Sequence, residues 1–458
     1  MFSTMQRNGI ALIYKSTRNW TMLNGRKVLA QFHFTSSALN AIFASVLTMD
    51  NQSSKVYFPG LNGLRFFAAL AVVLTHLELM KKLLGHGERL WVNDEKRSSI
   101  TAISGILNGE IRWATPFISS AGTLGVVFFF VLSGFLITYL LLEEKRISST
   151  IAIKKFYIRR ILRIWPLYYF IVFLGFFVLP HISWFDIPNQ EVPFLQNFLP
   201  QLVCYLFLLP NLAFAVYETA VPNIGQSWSI GVEEQFYIIW PLIMKFAKRI
   251  LMVMVVFTLV LVTFKVLLSL IPDSTFSWIR TLKLFLAMSK IECMSLGGIG
   301  AYVVFHKKEK IMNFCFHPLI QIAAVLSVPL IILFAPIQLK NGIHLLFSFS
   351  FLVIIMNVSF NKGSIIKLEH KVLDFLGKIS YGIYMYHIIC ITFTLHVLDK
   401  ALSLPQNMTW AQNLLYYICS ILLTLLVSAL SYHYLERVFI RKKKNYTTVI
   451  SGDEAKGK

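Results

Sequence analysis

Apolar stretches of about 20 residues recur from residue 61 to residue 440, separated by more polar links of varied length. About 20 apolar residues is the length an α-helix needs to cross the hydrocarbon core of a bilayer. The stretches lie at roughly 61–80, 116–142, 160–180, 228–244, 250–271, 284–305, 316–336, 343–360, 376–398 and 412–436. They predict an all-α integral membrane protein, a polytopic bundle of about ten transmembrane helices. A transmembrane β-barrel does not fit, because its strands alternate apolar and polar residues with period two and these runs are continuous.

An eleventh apolar piece, QLVCYLFLLPNLAFAVY (201–217), is short and broken by Pro210. The flanking charges decide how it is read, since Lys and Arg gather in cytoplasmic loops. If it does not cross and the N-terminus is cytoplasmic, the inner segments 143–163, 245–249, 306–315, 361–378 and 437 onward hold seven, three, three, four and seven Lys/Arg. The outer segments 181–227, 272–283, 337–342 and 399–411 hold none, two, one and one. The loop 81–115 has six, but long loops orient weakly. If 201–217 crossed, HKKEK (306–310) and GSIIKLEHK (363–371) would lie outside. Both termini are therefore expected in the cytoplasm. The 201–217 piece is expected as a re-entrant or outer-surface segment that roofs a cavity, because irregular backbone at that depth needs protein or water beside it. No internal repeat is visible, which weakens a transporter built of inverted repeats.

Composition agrees: 56% of residues are hydrophobic and 14% charged, against about a quarter charged in soluble proteins. The net charge of +21 is explained by basic residues beside the spans, facing anionic lipid, and calls for no nucleic acid. The five cysteines (204, 293, 315, 390, 419) show neither metal-ligand spacing nor a disulfide framework, so no metal is expected. Residues 1–48 are polar and mixed, without a signal peptide, and read as an N-terminal extension, disordered or upstream of the native start. Residues 49–440 form the membrane domain, 441–458 a basic cytoplasmic tail, and the expected location is the inner or plasma membrane.

Ionisable groups at membrane depth find no partner in lipid and mark function. Arg65 and His76 stand eleven residues apart in LNGLRFFAALAVVLTHLELM. That is about three helical turns and a rise of about 16 Å, so both leave one face, Arg65 near the cytoplasmic end and His76 toward the outer one. Glu233 and Glu234 sit side by side in QSWSIGVEEQFYIIWP. Adjacent helical residues point about 100° apart, so one faces a cavity and the other pairs elsewhere. Glu233 lies about 8 Å inside the outer end of its span, at a depth similar to His76, where a carboxylate can orient an imidazole base. Arg160 and Arg163 in KKFYIRRILRIWPLYY are neighbours on a helix face, and planar guanidinium groups suit phosphate. Lys154, Lys155 and Arg159 read as cytoplasmic anchors. Tyr381 and His387 in LGKISYGIYMYHIIC read first as packing groups between helices. Ser133-Gly134 allows a close helix approach or room for a chain-like ligand.

Taken in order, GLRFFAALAVVLTH, GVVFFFVLSGFLIT, FYIRRILRIWPLYY, QSWSIGVEEQFYIIWP and LGKISYGIYMYH resemble the membrane acyltransferase-3 family over about residues 57–440. The resemblance implies ten spans with cytoplasmic termini and transfer of an acyl group, usually acetyl, from cytoplasmic acyl-CoA to a hydroxyl of an envelope or exported glycan. It implies roles for Arg65 with His76, for Arg160 with Arg163, and for Glu233. Some relatives carry an acid where this chain has Val127. No tightly bound cofactor is implied; acyl-CoA is a co-substrate. Relatives with an added soluble domain finish the transfer outside, so this chain is expected to finish unaided or hand over to a separate partner. The mechanism expected has Arg160, Arg163 and Arg65 gripping CoA phosphates, His76 as base or transient acyl carrier, and Glu233 orienting His76. The rival is a proton-coupled transporter or flippase of a small acid or lipid-linked glycan, with His76 and Glu233 as a relay.

Overall fold

Over the described residues the apolar stretches are helical, with breaks at 289–290, 317 and 379. The computed structural model describes residues 54–86, 115–334, 342–406 and 408–451; the expected extension at 1–48 lies outside them. The spans begin with α1 (Leu61–Leu83), α2 (Thr115–Ser148) and α3 (Ile153–Phe173), the last running into a π-helical turn at Leu174–Val178. Three short helices follow, α4 (Glu191–Gln196), α5 (Phe198–Leu206) and α6 (Pro210–Tyr217). Next come α7 (Trp228–Phe246), α8 (Ile250–Ser269), α9 (Ile279–Met288) and α10 (Ile291–Phe305). The remainder comprises α11 (Glu309–Phe316), α12 (Pro318–Phe334), α13 (Ile343–Phe360), α14 (Lys371–Lys378), α15 (Ser380–Leu402) and α16 (Trp410–Ser431). A second π-helical turn, Tyr432–Glu436, joins α16 to α17 (Arg437–Lys443).

Among the described residues, eight helical segments are long and apolar enough to cross a membrane, α9 and α10 together counting as one. The number rises to nine if α11 and α12, bent by 63°, form one span. The remaining stretch of the expected set is α7, which has 19 residues and carries Glu233, Glu234 and Lys245. The chain is a multi-pass helical membrane protein.

The core forms around α2, which packs on α1, α10, α13 and α7 and buries Val127, Phe130, Val131 and Phe135 fully. Lipid gives two helices no hydrophobic reason to associate, so close backbone approach between small residues does that work. A Cβ on Gly134 of α2 would fall 1.8 Å from the Met294 carbonyl oxygen, and one on Gly297 of α10 would fall 2.0 Å from that of Val131. Only glycine fits at this crossing. By contrast α8, the most apolar of these eight spans, buries only Met254 and Leu268 and faces outward.

The 201–217 piece is divided between two helices of nine and eight residues, each only about 12–14 Å long. Leu208 between them has φ 60°, and Pro210 opens α6, where its missing N–H is harmless. The piece does not roof the main cavity as expected. It docks on the far side of α7, where Leu208 and Pro210 close on Gly231 and Asn211 bonds Gln235 in both directions, at 3.3 and 2.9 Å.

Two short strands, β1 (Ser54–Val56) and β2 (Val449–Ser451), pair in parallel with Lys55 opposite Ile450. The segment before α1 and the segment after α17 therefore meet at one end of the bundle. The described part of the expected tail is folded into the domain, with α17 packed on α3.

Candidate active site

A cavity opens between α1, α2, α3, α7 and α15, with a few polar side chains set in an apolar wall, as in ligand pockets. On α7, Ser229, Ile230, Glu233 and Tyr237 line it, positions that share one helix face. Gly231 and Gln235 leave the opposite face toward α6. The sequence thus makes α7 two-sided, with a cavity face and a docking face.

Glu233 is held in the cavity wall by two donors. Ser133 Oγ donates at 3.0 Å and Tyr237 Oη at 2.9 Å. Glu234 points elsewhere, as helix geometry requires: it is 6% exposed and accepts from Trp165 Nε1 of α3 at 3.2 Å. Ser133 and Gly134 divide their work, the serine bonding Glu233 and the glycine admitting α10.

Arg65, Arg160 and Arg163 come together at one end of this cavity. The same three arginines line a second cavity, with Tyr57, Phe58, Asn62, Phe156, Arg159, Lys443 and Thr447 around its wall. They therefore stand at the neck between a vestibule on the β1–β2 side and the inner cavity. The guanidinium of Arg160 lies 5.5 Å from the ring centres of both Phe156 and Tyr237, and its buried Nε has no hydrogen-bond partner. No described residue forms an ion pair with any of the three. Neighbouring cations behave otherwise: Arg159 is paired to Glu144 at 2.8 Å and Arg146 to Glu143 at 2.6 Å. Three converging guanidinium groups without a direct ion pair, with Glu233 and Glu436 only at longer range, are suited to receive an anion at membrane depth.

The other end of the inner cavity is walled by Phe129 and Tyr384, whose rings stand 6.1 Å apart. Behind Tyr384 lies His387, fully buried, and its ring centre is 4.8 Å from that of His76. His76 therefore pairs with His387 and not with Glu233. Similar depth on two spans says nothing about lateral position, and Ser133 and Tyr237 already hold both Glu233 oxygens.

The hydrogen bonds define the protons of this pair. His387 Nδ1 lies 2.6 Å from the Tyr384 carbonyl oxygen, which can only accept, so Nδ1 carries the hydrogen and neutral His387 offers a lone pair at Nε2. His76 Nδ1 is 3.2 Å from that lone pair and 2.9 Å from the Val72 carbonyl oxygen. It must donate to both. His76 Nε2 is then the unprotonated nitrogen, and it bonds to no described residue. A neutral imidazole with its tautomer set this way is a ready general base. Tyr381, also read as packing, lines the inner cavity and donates to the Ile164 carbonyl oxygen at 2.9 Å, next to Arg163.

Two further buried groups escaped the sequence reading. Glu436, 5% exposed, sits on the π-helical turn after α16 with one oxygen unbonded. Lys265, Glu292 and His344 form a buried cluster between α8, α10 and α13: Lys265 Nζ donates to both Glu292 oxygens at 2.8 Å, and His344 Nε2 lies 2.7 Å from one of them. Both had a sequence signal, since each is an ionisable residue in an apolar run; Lys265 is the single charge of α8. Glu292, His344 and Cys293 have metal-ligand chemistry within 4.8 Å, but Lys265 already neutralises the carboxylate.

The sequence profile of the acyltransferase-3 family, described as an acyltransferase domain, matches residues 58–433. The chain is 24% identical over 409 residues to the peptidoglycan O-acetyltransferase OatA of Listeria monocytogenes, across 84% of this chain and 56% of that protein. It is 25% identical to the putative peptidoglycan O-acetyltransferase YrhL of Bacillus subtilis and to the O-acetyltransferase OatA of Staphylococcus aureus, each across 86% of this chain and 59% of the relative. The chain thus spans a little over half the length of these curated relatives. No solved structure matches it. The matched region holds Arg65, His76, Arg160, Arg163, Glu233, Tyr381 and His387, and over it this chain belongs to the acyltransferase-3 family.

Proposed function

We propose that this chain is a membrane O-acyltransferase that moves an acyl group, acetyl in the first instance, from cytoplasmic acyl-CoA to a hydroxyl of an envelope glycan. The observation that carries the reading is the neck of three arginines, none in a direct ion pair, between a vestibule and a cavity that ends one ring away from a histidine pair. Arg65, Arg160 and Arg163 take the donor phosphates. The acyl-bearing arm threads past Glu233 toward Phe129 and Tyr384. The acceptor hydroxyl meets it from the far side, where His76 Nε2 removes the hydroxyl proton. The oxygen attacks the thioester carbonyl, the C–S bond breaks, and the thiolate takes the proton from His76. His387 stabilises the charged His76 by accepting from Nδ1. The glycan acceptor is supported by the relatives that are named peptidoglycan O-acetyltransferases.

The topology proposed with this chemistry is ten spans, counting α7 and the bent α11–α12 pair, with both ends of the domain in the cytoplasm of a cell-membrane protein. The β1–β2 pairing supports it: strands that bond each other lie on one side, so the spans between them are even in number, and a crossing by 201–217 would make them odd.

The test is radiolabelled acetyl-CoA with the purified chain in lipid nanodiscs and isolated cell-wall glycan. Label is expected on the glycan. Acetyl-CoA that neither binds nor donates, alongside proton-driven uptake in sealed vesicles, would establish the transporter instead.

A further inference from the structure

The vestibule has a composition that the neck alone does not call for. Its wall combines aromatic rings from two sides, Tyr57 and Phe58 ahead of α1 and Phe156 on α3, with the Arg159–Glu144 pair and with Lys443, Thr447 and Val449 from beyond the last span. The last three come from a segment that the sequence presents as a mere basic tail. The structure ties that segment down. Arg159 Nη1 donates to the Tyr446 carbonyl oxygen at 2.9 Å, Arg159 is itself fixed by Glu144 at 2.8 Å, and β2 bonds to β1. The strand pair thus holds this segment beside Tyr57 and Phe58 at the vestibule. The vestibule offers space beyond the neck comparable to that of the inner cavity. A thioester arm with its phosphates at the neck needs none of that space. A flat heteroaromatic ring with a further phosphate fits its chemistry, since the ring takes the aromatic and apolar wall and the phosphate takes the cations.

We infer that the vestibule is a nucleotide subsite: the segment Lys443–Val449, clamped by the β1–β2 pair, recognises the 3′-phosphorylated adenosine end of the donor and sets donor specificity. The inference rests on the thioester-donor reading above. It makes the chain after the last span part of the donor site. A donor lacking the nucleotide still engages the arginine neck but forgoes the vestibule.

The experiment compares binding of CoA and 4′-phosphopantetheine to the full chain in lipid nanodiscs, by calorimetry, for the wild type, Lys443→Ala, Thr447→Phe and Arg163→Ala. Wild type is expected to prefer CoA by at least about tenfold, equivalent to about 1.4 kcal/mol. Lys443→Ala removes a cation and Thr447→Phe fills the wall, and either is expected to bring the preference below about threefold without weakening phosphopantetheine. Arg163→Ala is expected to weaken both ligands together. If wild type binds both ligands equally, or the two vestibule variants keep the preference, the subsite is wrong while the donor reading stands. If wild type binds neither, the donor reading fails and the subsite falls with it.

Discussion

His76 donates from Nδ1 to Val72 and His387, which leaves Nε2 as the only ring nitrogen able to take a proton. His76→Ala is expected to lower transfer by roughly 100- to 10,000-fold, the usual worth of a general base, with acetyl-CoA binding unchanged. His387→Leu removes the acceptor that stabilises charged His76 and is expected to cost about tenfold or more in turnover with little effect on donor binding. Residues acting as one unit are not additive. The His76→Ala/His387→Leu double variant should therefore be no slower than His76→Ala alone. Glu233 makes its bonds to Ser133 and Tyr237, so Glu233→Gln should add its own loss on top of His76→Ala. Transfer rates at equal folded amounts separate these outcomes, and an additive His76/His387 pair would break the dyad. Arg160→Lys and Arg163→Lys are expected to weaken donor binding despite keeping the charge, because the planar fork is lost.

At the scale of elements, the crossing of α2 and α10 decides whether the cavity exists. Gly297→Val would drive a branched side chain into the backbone at Val131. It is expected to abolish folded protein, because the contact is with main chain and no side chain can turn away. The check is monodisperse recovery in detergent; normal recovery would mean the helices can part. The docking of α6 on α7 is a milder case. Asn211→Leu leaves half-buried Gln235 without its partner, expected to cost about 1 kcal/mol, read as a fall in melting temperature. If the re-entrant piece only supports α7, donor affinity should stay within about threefold.

For the whole molecule, the strand pair makes topology a matter of proximity. Cysteines replacing Lys55 and Ile450, opposite each other in the ladder, are expected to cross-link on mild oxidation. Both should react with thiol reagents only after the membrane is permeabilised. A cysteine at position 190 should label from outside, and one at 308 or 365 from inside. Opposite-side labelling of positions 55 and 450 would require an odd number of spans and would overturn the ten-span proposal. It would also remove the clamp on which the nucleotide subsite depends.

The apolar runs determined that the chain is a helical membrane protein and where nearly every helix lies, because a lipid environment demands long, internally bonded segments. Residue spacing determined local facts too. Arg160 and Arg163 share a helix face, and Glu233 and Glu234 diverge, because helical geometry is the same in every fold. What lies between helices was not legible. Three arginines from α1 and α3 meet at one neck, His76 meets His387 from more than 300 residues away, and Glu233 is held by Ser133. Those contacts depend on lateral packing and helix rotation, and in a bilayer small-residue crossings such as Gly134 against Met294 set these, with no hydrophobic stripe to announce them. Depth along a span could be counted from the sequence. The neighbour at that depth was decided only by the tertiary structure.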